Sequence, residues 1–221
     1  MFTLVRQFDQ SLKEVKTVLL EMGEKLEVAI DKAVKSLVQA DVTMAKSVLE
    51  NDQKVDELEN RIDETVSTLI ATQQPVAKDL RKLIAALKIS SDMERMADLA
   101  CNIAETTLLL QQADRTFDKE LEDIPRMAAI TQKMVHDGIN SYIDGNVLLA
   151  KSMAEMDDQV DQLYESIVKG LMEGMIQEQQ FTEASLRLCF VARYLERIAD
   201  HATNIAESIV YIETGQREDL N

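Results

Sequence analysis

Apolar residues recur along this chain at the spacing of helices rather than the alternation of strands. Leu12, Val15, Val18, Leu19, Met22, Leu26, Ala29, Ile30, Ala33 and Leu37 fall on one face of a helix from about Leu4 to Ala40. Gly23 interrupts that face, where it suits close packing better than a break. Asp41 is placed to cap a second helix through Met44, Val48, Val55, Leu58, Ile62, Val66 and Leu69. Gln74-Pro75 makes a turn, with the proline suited to the first helical position. A third helix carries Leu80, Leu83, Leu87, Met93, Met96, Ile103 and Leu110. After a polar stretch from Gln111 to Asp123, Pro125 opens a fourth helix through Met127, Ile130, Met134 and Ile139. Asp144-Gly145-Asn146 is turn chemistry. A fifth helix then runs from Val147 to about Met175, and a sixth from about Thr182 to Glu213.

These six helices are two sets of three. Glu94-Arg-Met-Ala-Asp98-Leu-Ala-Cys-Asn102-Ile-Ala-Glu105 returns as Glu196-Arg-Ile-Ala-Asp200-His-Ala-Thr-Asn204-Ile-Ala-Glu207, with nine of twelve positions identical at an offset of 102. Asp41-Val-x-x-Ala45-Lys-Ser matches Asn146-Val-x-x-Ala150-Lys-Ser at an offset of 105. The same offset relates Asp52, Val55, Asp56, Leu58 and Ile62 to Asp157, Val160, Asp161, Leu163 and Ile167. The change of offset falls in a turn, where a length difference costs little. The fold class predicted is all-α, two tandem, sequence-related three-helix bundles of residues 1–113 and 114–221.

Composition narrows the partners. The formal net charge of −16 argues against a direct nucleic-acid or anionic-membrane partner, since both reward lysine and arginine patches. It favours cations or basic protein surfaces. Cys101 and Cys189 are not equivalent in the repeat and suit a reducing compartment better than a disulfide scaffold. The first residues lack the basic head and apolar stretch of a signal peptide. The longest apolar runs, Leu83–Leu87 and Leu188–Ala192, are five residues, far below a membrane span. A cytoplasmic protein with no direct membrane insertion is expected. The eleven methionines read as core filler, since nine aromatic residues leave much volume to fill.

The repeat also repeats acids. Asp52 and Asp56, Glu94 and Asp98, Asp157 and Asp161, and Glu196 and Asp200 are all i, i+4 pairs. Like charges at that spacing destabilise a helix by a few tenths of a kcal/mol, so four such pairs in equivalent places need a reason. On a helical wheel Glu196, Asp200, Asn204 and Glu207 lie roughly 120–180° from the apolar face of Val191, Leu195, Ile198, Ala202, Ile205 and Ile209. The acids therefore face outward, beside a seam of Ala192, Ala199 and Ala206 that lets a neighbouring helix approach. Two readings stand side by side. One is a solvated face, with Arg95 or Arg197 pairing the Asp three residues on. The other is an open cluster of four carboxylates per half that holds hard or borderline cations such as Mg, Ca, Mn or Fe. The duplicated asparagine and the alanine seam favour the second. His201, whose counterpart is Leu99, reads as a surface histidine, and His136 as incidental.

At these residues the chain resembles the PhoU family, the phosphate uptake regulators that accompany bacterial phosphate-specific ABC transporters. The likeness covers nearly the whole chain: Met22-Gly23, the Asp-x-x-x-Asp of helices two and five, Gln74-Pro75-Val-Ala-x-Asp79-Leu-Arg81, and both Glu-Arg-x-Ala-Asp segments with Asn-Ile-Ala-Glu following. The resemblance implies multinuclear iron or zinc clusters on Asp52, Asp56, Glu94 and Asp98 and on Asp157, Asp161, Glu196 and Asp200. It also implies a negative regulator of the phosphate-starvation response, linking the transporter's ATPase subunit to a membrane sensor histidine kinase, with homodimers occurring. Through such partners the protein would sit at the inner face of the membrane. No phosphate loop, nucleophile elbow or kinase motif is present, which favours a non-enzyme. The competing reading is a carboxylate-bridged multi-metal oxidase or hydrolase. Neither histidine follows a Glu by three residues as ferritin-like di-iron ligands do: Lys133 precedes His136 and Ile198 precedes His201.

Overall fold

The computed structural model describes residues 2–110, 120–177 and 182–220. The helices are α1 (Phe2–Gln39), α2 (Val42–Gln73), α3 (Ala77–Leu109), α4 (Glu120–Asp144), the single turn α5 (Val147–Lys151), α6 (Met153–Gln177) and α7 (Thr182–Thr214). No strand occurs among the described residues. α1, α2 and α3 pack on one another as the first bundle, and α4, α6 and α7 as the second, with α5 against α7. α3 packs on α7 and α1 on α4, so one continuous apolar core runs through both halves. The expected boundary between residues 113 and 114 lies outside the described residues.

Local chemistry explains the ends. The Asp41 carboxylate accepts the Met44 N–H at 3.0 Å and Asn146 accepts the Leu149 N–H at 3.1 Å, the same cap at equivalent places in the two halves. Gly145 takes φ +68° ahead of that second cap, as the turn required. Three expectations shift. Gln74, at φ 48°, closes α2 by donating its N–H to Ile70, so Pro75 follows the helix end instead of opening α3, which starts at Ala77. Pro125 sits inside α4 rather than at its start; near the helix end its missing N–H forfeits one bond and the helix continues. The fifth helix is in two pieces, parted at Ser152.

The expected apolar faces are buried. Leu19, Met22, Leu26, Ile30 and Leu37 of α1 are fully enclosed, as are Val191, Leu195, Ile198, Ala202 and Ile205 of α7. Met22, Met93, Met96, Met127, Met134 and Met153 are fully buried, which makes them core filler as expected. The alanine seam of Ala192, Ala199 and Ala206 is fully enclosed too. At Gly23 a Cβ would stand 2.2 Å from Ile139 Cδ1, so the glycine lets α1 and α4 approach across the two halves. No helix is long and apolar enough to cross a membrane.

Candidate functional site

The acid pairs meet within each half. Asp52 and Asp56 stand on α2 and Glu94 and Asp98 on α3, two helices that pack together; Asp157 and Asp161 on α6 face Glu196 and Asp200 on α7 in the same way. In the first half, burial and then neighbouring Asp98 push the Glu94 carboxyl up, with Glu59 and Asp56 adding to it. Burial raises Asp52 as well, with Asp56 and Asp98 contributing and a hydrogen bond from the Cys101 thiol opposing. In the second half, burial followed by the charges of Asp161 and Asp200 takes Asp157 up to about 6. Burial, then Asp200, takes Glu196 up to about 7. Asp161 rises for the same two reasons. The equivalent residues Asp98 and Asp200 are thus the common neighbours in the two patches.

These acids are less outward than the wheel implies. Asp157 is 8% and Glu196 9% exposed, while Asp98 and Asp161 are exposed and Asp52, Asp56, Glu94 and Asp200 are half-buried. The reason is that α7 touches α3, α4, α5 and α6, so little of it has an outer side. Among the described residues no ion pair joins Arg95 to Asp98 or Arg197 to Asp200. Instead Arg193 pairs with Glu196 Oε1, and Glu196 Oε2 is buried with no hydrogen-bond partner. A buried carboxylate oxygen without a donor is costly, and it is the kind of atom a cation satisfies. Among the described residues no group of three or more His, Cys, Asp or Glu is arranged to hold a metal as it stands; the side chains would have to rotate inward around an ion.

Sequence reasoning missed three contributors. The Asp52 partner Cys101 and the Asp157 partner Thr203 are equivalent at the 102 offset, and both oppose the rise of that first Asp. They occupy one of the three positions where the twelve-residue echo differs, which was the available signal. Glu59, three residues beyond Asp56 on α2, joins the first patch, its carboxyl raised chiefly by burial and then by Asp63, with the Ser91 hydroxyl opposing. At the equivalent places the second half has Tyr164 and Arg193, with the guanidinium 6.0 Å from the ring centroid. The first patch therefore carries an extra acid where the second has a tyrosine, and a serine where the second has a cation.

His201 is a correction. It is 8% exposed, and its Nδ1 lies 2.9 Å from Asp92 Oδ1 on α3, tying the halves together from within. The sequence reading made it a surface histidine, but α3 covers that side. His201→Ala leaves Asp92 without this partner and should lower stability by about 2 kcal/mol, less than the 3–5 typical of a fully buried pair; an unchanged urea midpoint would contradict it. His136, as expected, is exposed, 3.1 Å from Glu27 on α1.

A PhoU domain model matches residues 19–107 and again 124–209, one match per bundle, and all eight acids lie inside them. The chain belongs to the PhoU family. It is 36% identical over 211 residues to the phosphate-specific transport system accessory protein PhoU homolog 1 of Thermotoga maritima, covering 95% of this chain and 90% of the relative. To the Aquifex aeolicus PhoU homolog it is 39% identical over 207 residues, 94% of this chain and 93% of the relative. The crystal structure of PhoU from Pseudomonas aeruginosa superposes with a TM-score of 0.90 at 32% identity, covering 95% of this chain and 100% of that one. The phosphate transport system regulatory protein PhoU of Streptococcus pneumoniae gives 0.88 at 29%, with 96% and 99% covered. The family expected from the motifs, and its two-bundle all-α architecture, are the ones found.

Proposed function

We propose that this chain is a non-enzymatic regulator of phosphate uptake, acting as a negative regulator of the phosphate-starvation response in the cytoplasm. On this reading it couples the ATPase subunit of a phosphate ABC transporter to a membrane sensor histidine kinase, and works as a homodimer. The observation that carries the reading is the family match in both halves, at near full length, to proteins named as phosphate-transport accessory proteins. The net charge of −16 suits basic protein partners. Deleting the gene should derepress phosphate-responsive transcription in phosphate-rich medium. Normal repression in the deletion strain would defeat the proposal.

The same reading includes metal. Asp52, Asp56, Glu94 and Asp98 would hold one cluster and Asp157, Asp161, Glu196 and Asp200 the other. The donor set fits: carboxylate oxygens alone suit iron, manganese, magnesium or calcium, and they bridge zinc. The orphaned Glu196 Oε2 and the mutually raised carboxyls are the structural support. A bound cation would supply compensating charge and a fixed surface for partners. Elemental analysis of the full chain should find metal in the wild type and about half as much after Asp157→Asn, Asp161→Asn, Glu196→Gln and Asp200→Asn together. Equal metal in both proteins would remove the second patch from the proposal.

A further inference from the structure

Positive charge is scarce in this chain, with 24 Lys and Arg against 40 Asp and Glu, yet around one cavity the basic side chains outnumber the acidic ones. A cavity of about 180 Å³ lies where α1, the start of α3, the end of α4 and the end of α7 come together, so both halves contribute to it. Lys16, Lys78 and Lys82 line it, with Tyr142, Asp144 and Glu213. Three ammonium groups against two carboxylates leave a local excess of one positive charge in a molecule whose net charge is −16.

The internal partners do not absorb that charge evenly. Lys78 is committed to Glu213 at 2.5 Å. Lys16 Nζ donates to the Ile143 carbonyl at 2.6 Å, a neutral acceptor. Lys82 has Asp79 at 3.3 Å, an exposed neighbour on its own helix that does not line the cavity. Burial first, then the like charge of Lys82, pulls the Lys16 ammonium below its ordinary range, against the opposing pull of Asp144 and Glu213. The backbone adds to the imbalance. Val76 caps α3 without a side-chain acceptor for its first N–H groups, and Lys78, Arg81 and Lys82 crowd the first two turns. A helix N-terminus rewards anions and penalises cations, and the charged groups there are three cations against one acid, Asp79, so an added anion is favoured.

We propose that this cavity binds a small tetrahedral oxyanion of the phosphate type, with Lys16 and Lys82 as its cationic contacts. Lysines reaching in from separate helices match an ion that presents acceptors in several directions. A site of this size in so acidic a chain takes a small ion and not a nucleic-acid backbone or a lipid surface. None of its residues belongs to the carboxylate patches, and the inference goes beyond the regulatory reading without depending on it.

The test is calorimetric titration of the full chain with orthophosphate, at low ionic strength and with a chelator present. One ion should bind per chain with a Kd of about 1 mM or tighter. Lys82→Glu and, separately, Lys16→Gln should weaken binding at least tenfold. Lys54→Glu, a lysine in the groove between α1 and α2, should leave it within twofold. Circular dichroism melts confirm that each variant is folded, and the side chain of Lys82, being partly exposed, makes it the safer substitution. Absence of saturable binding to the wild type would overturn the proposal. So would binding that Lys82→Glu leaves intact, or that is seen only when the chelator is left out, which would place the anion on metal at the carboxylate patches.

Discussion

Glu196→Gln will raise the melting temperature of the metal-free protein at pH 8. In the folded chain the Glu196 carboxyl titrates near 7 instead of 4.5, because burial and then Asp200 disfavour its charge. An acid whose folded value is raised binds its proton more tightly in the native state, so stability is present at low pH and falls as pH rises from about 4.5 to about 7. A shift of that size corresponds to roughly 3 kcal/mol. The amide removes the charge but weakens the contact with Arg193, which leaves a net gain of roughly 2 kcal/mol, or about 4–8 °C in a chain of this length. Asp157 works in the same direction between its ordinary 3.8 and about 6. Adding manganese or zinc should reverse the order, stabilising the wild type and doing little for the variant. A chelated Glu196→Gln protein that melts below the wild type at pH 8 would mean that the charge is compensated from within the protein.

Gly23→Val should destabilise the chain by about 3 kcal/mol or more, the upper end of what overpacking costs. A Cβ at position 23 already falls 2.2 Å from Ile139 Cδ1 and 3.5 Å from Met93 Cε, and valine adds two methyl groups beyond it. Ile139 is itself buried, at 5% exposure, so its methyl has little free space to enter. The contact joins α1 to α4, and the strain therefore acts between the two halves. Gly23→Ala should lie near neutral, since about 1 kcal/mol of helix propensity offsets a displaced methyl. Shortening the partner with Ile139→Ala should recover part of the valine loss, and a double-mutant cycle measures that coupling. Additive losses at the two positions would show that the helices do not meet there.

Much of this could be read from the chain, and the misses share a cause. Long helices with a clear apolar period, such as the one bearing Leu19, Met22, Leu26 and Ile30, are legible because burying one stripe dictates both element and orientation. The tandem architecture is legible because equivalent motifs keep constant offsets. A helical wheel, however, weighs only the stripe of its own helix. It cannot report that other helices close over the remaining sides, which is why Glu196 proved buried. Asp92, the partner of His201, lies 109 residues away on a helix of the other half, and no local pattern links them. The proline positions were misjudged for a different reason. A single residue in a left-handed conformation, Gln74, ends α2 before Pro75 can act, and residue type alone does not announce it.

The fusion of two bundles in one chain has a consequence for change. A symmetric dimer of single bundles must accept every substitution twice, once in each copy. The fused chain accepts it once. Leu99 and His201, Cys101 and Thr203, Glu59 and Tyr164, and Ser91 and Arg193 are pairs that have already parted company at equivalent places. Each divergence falls at or beside a carboxylate patch, while the eight acids of the i, i+4 pairs stay matched. One patch is therefore free to keep its behaviour while the other is retuned, and two responses of different threshold can sit in a single molecule at a fixed one-to-one ratio.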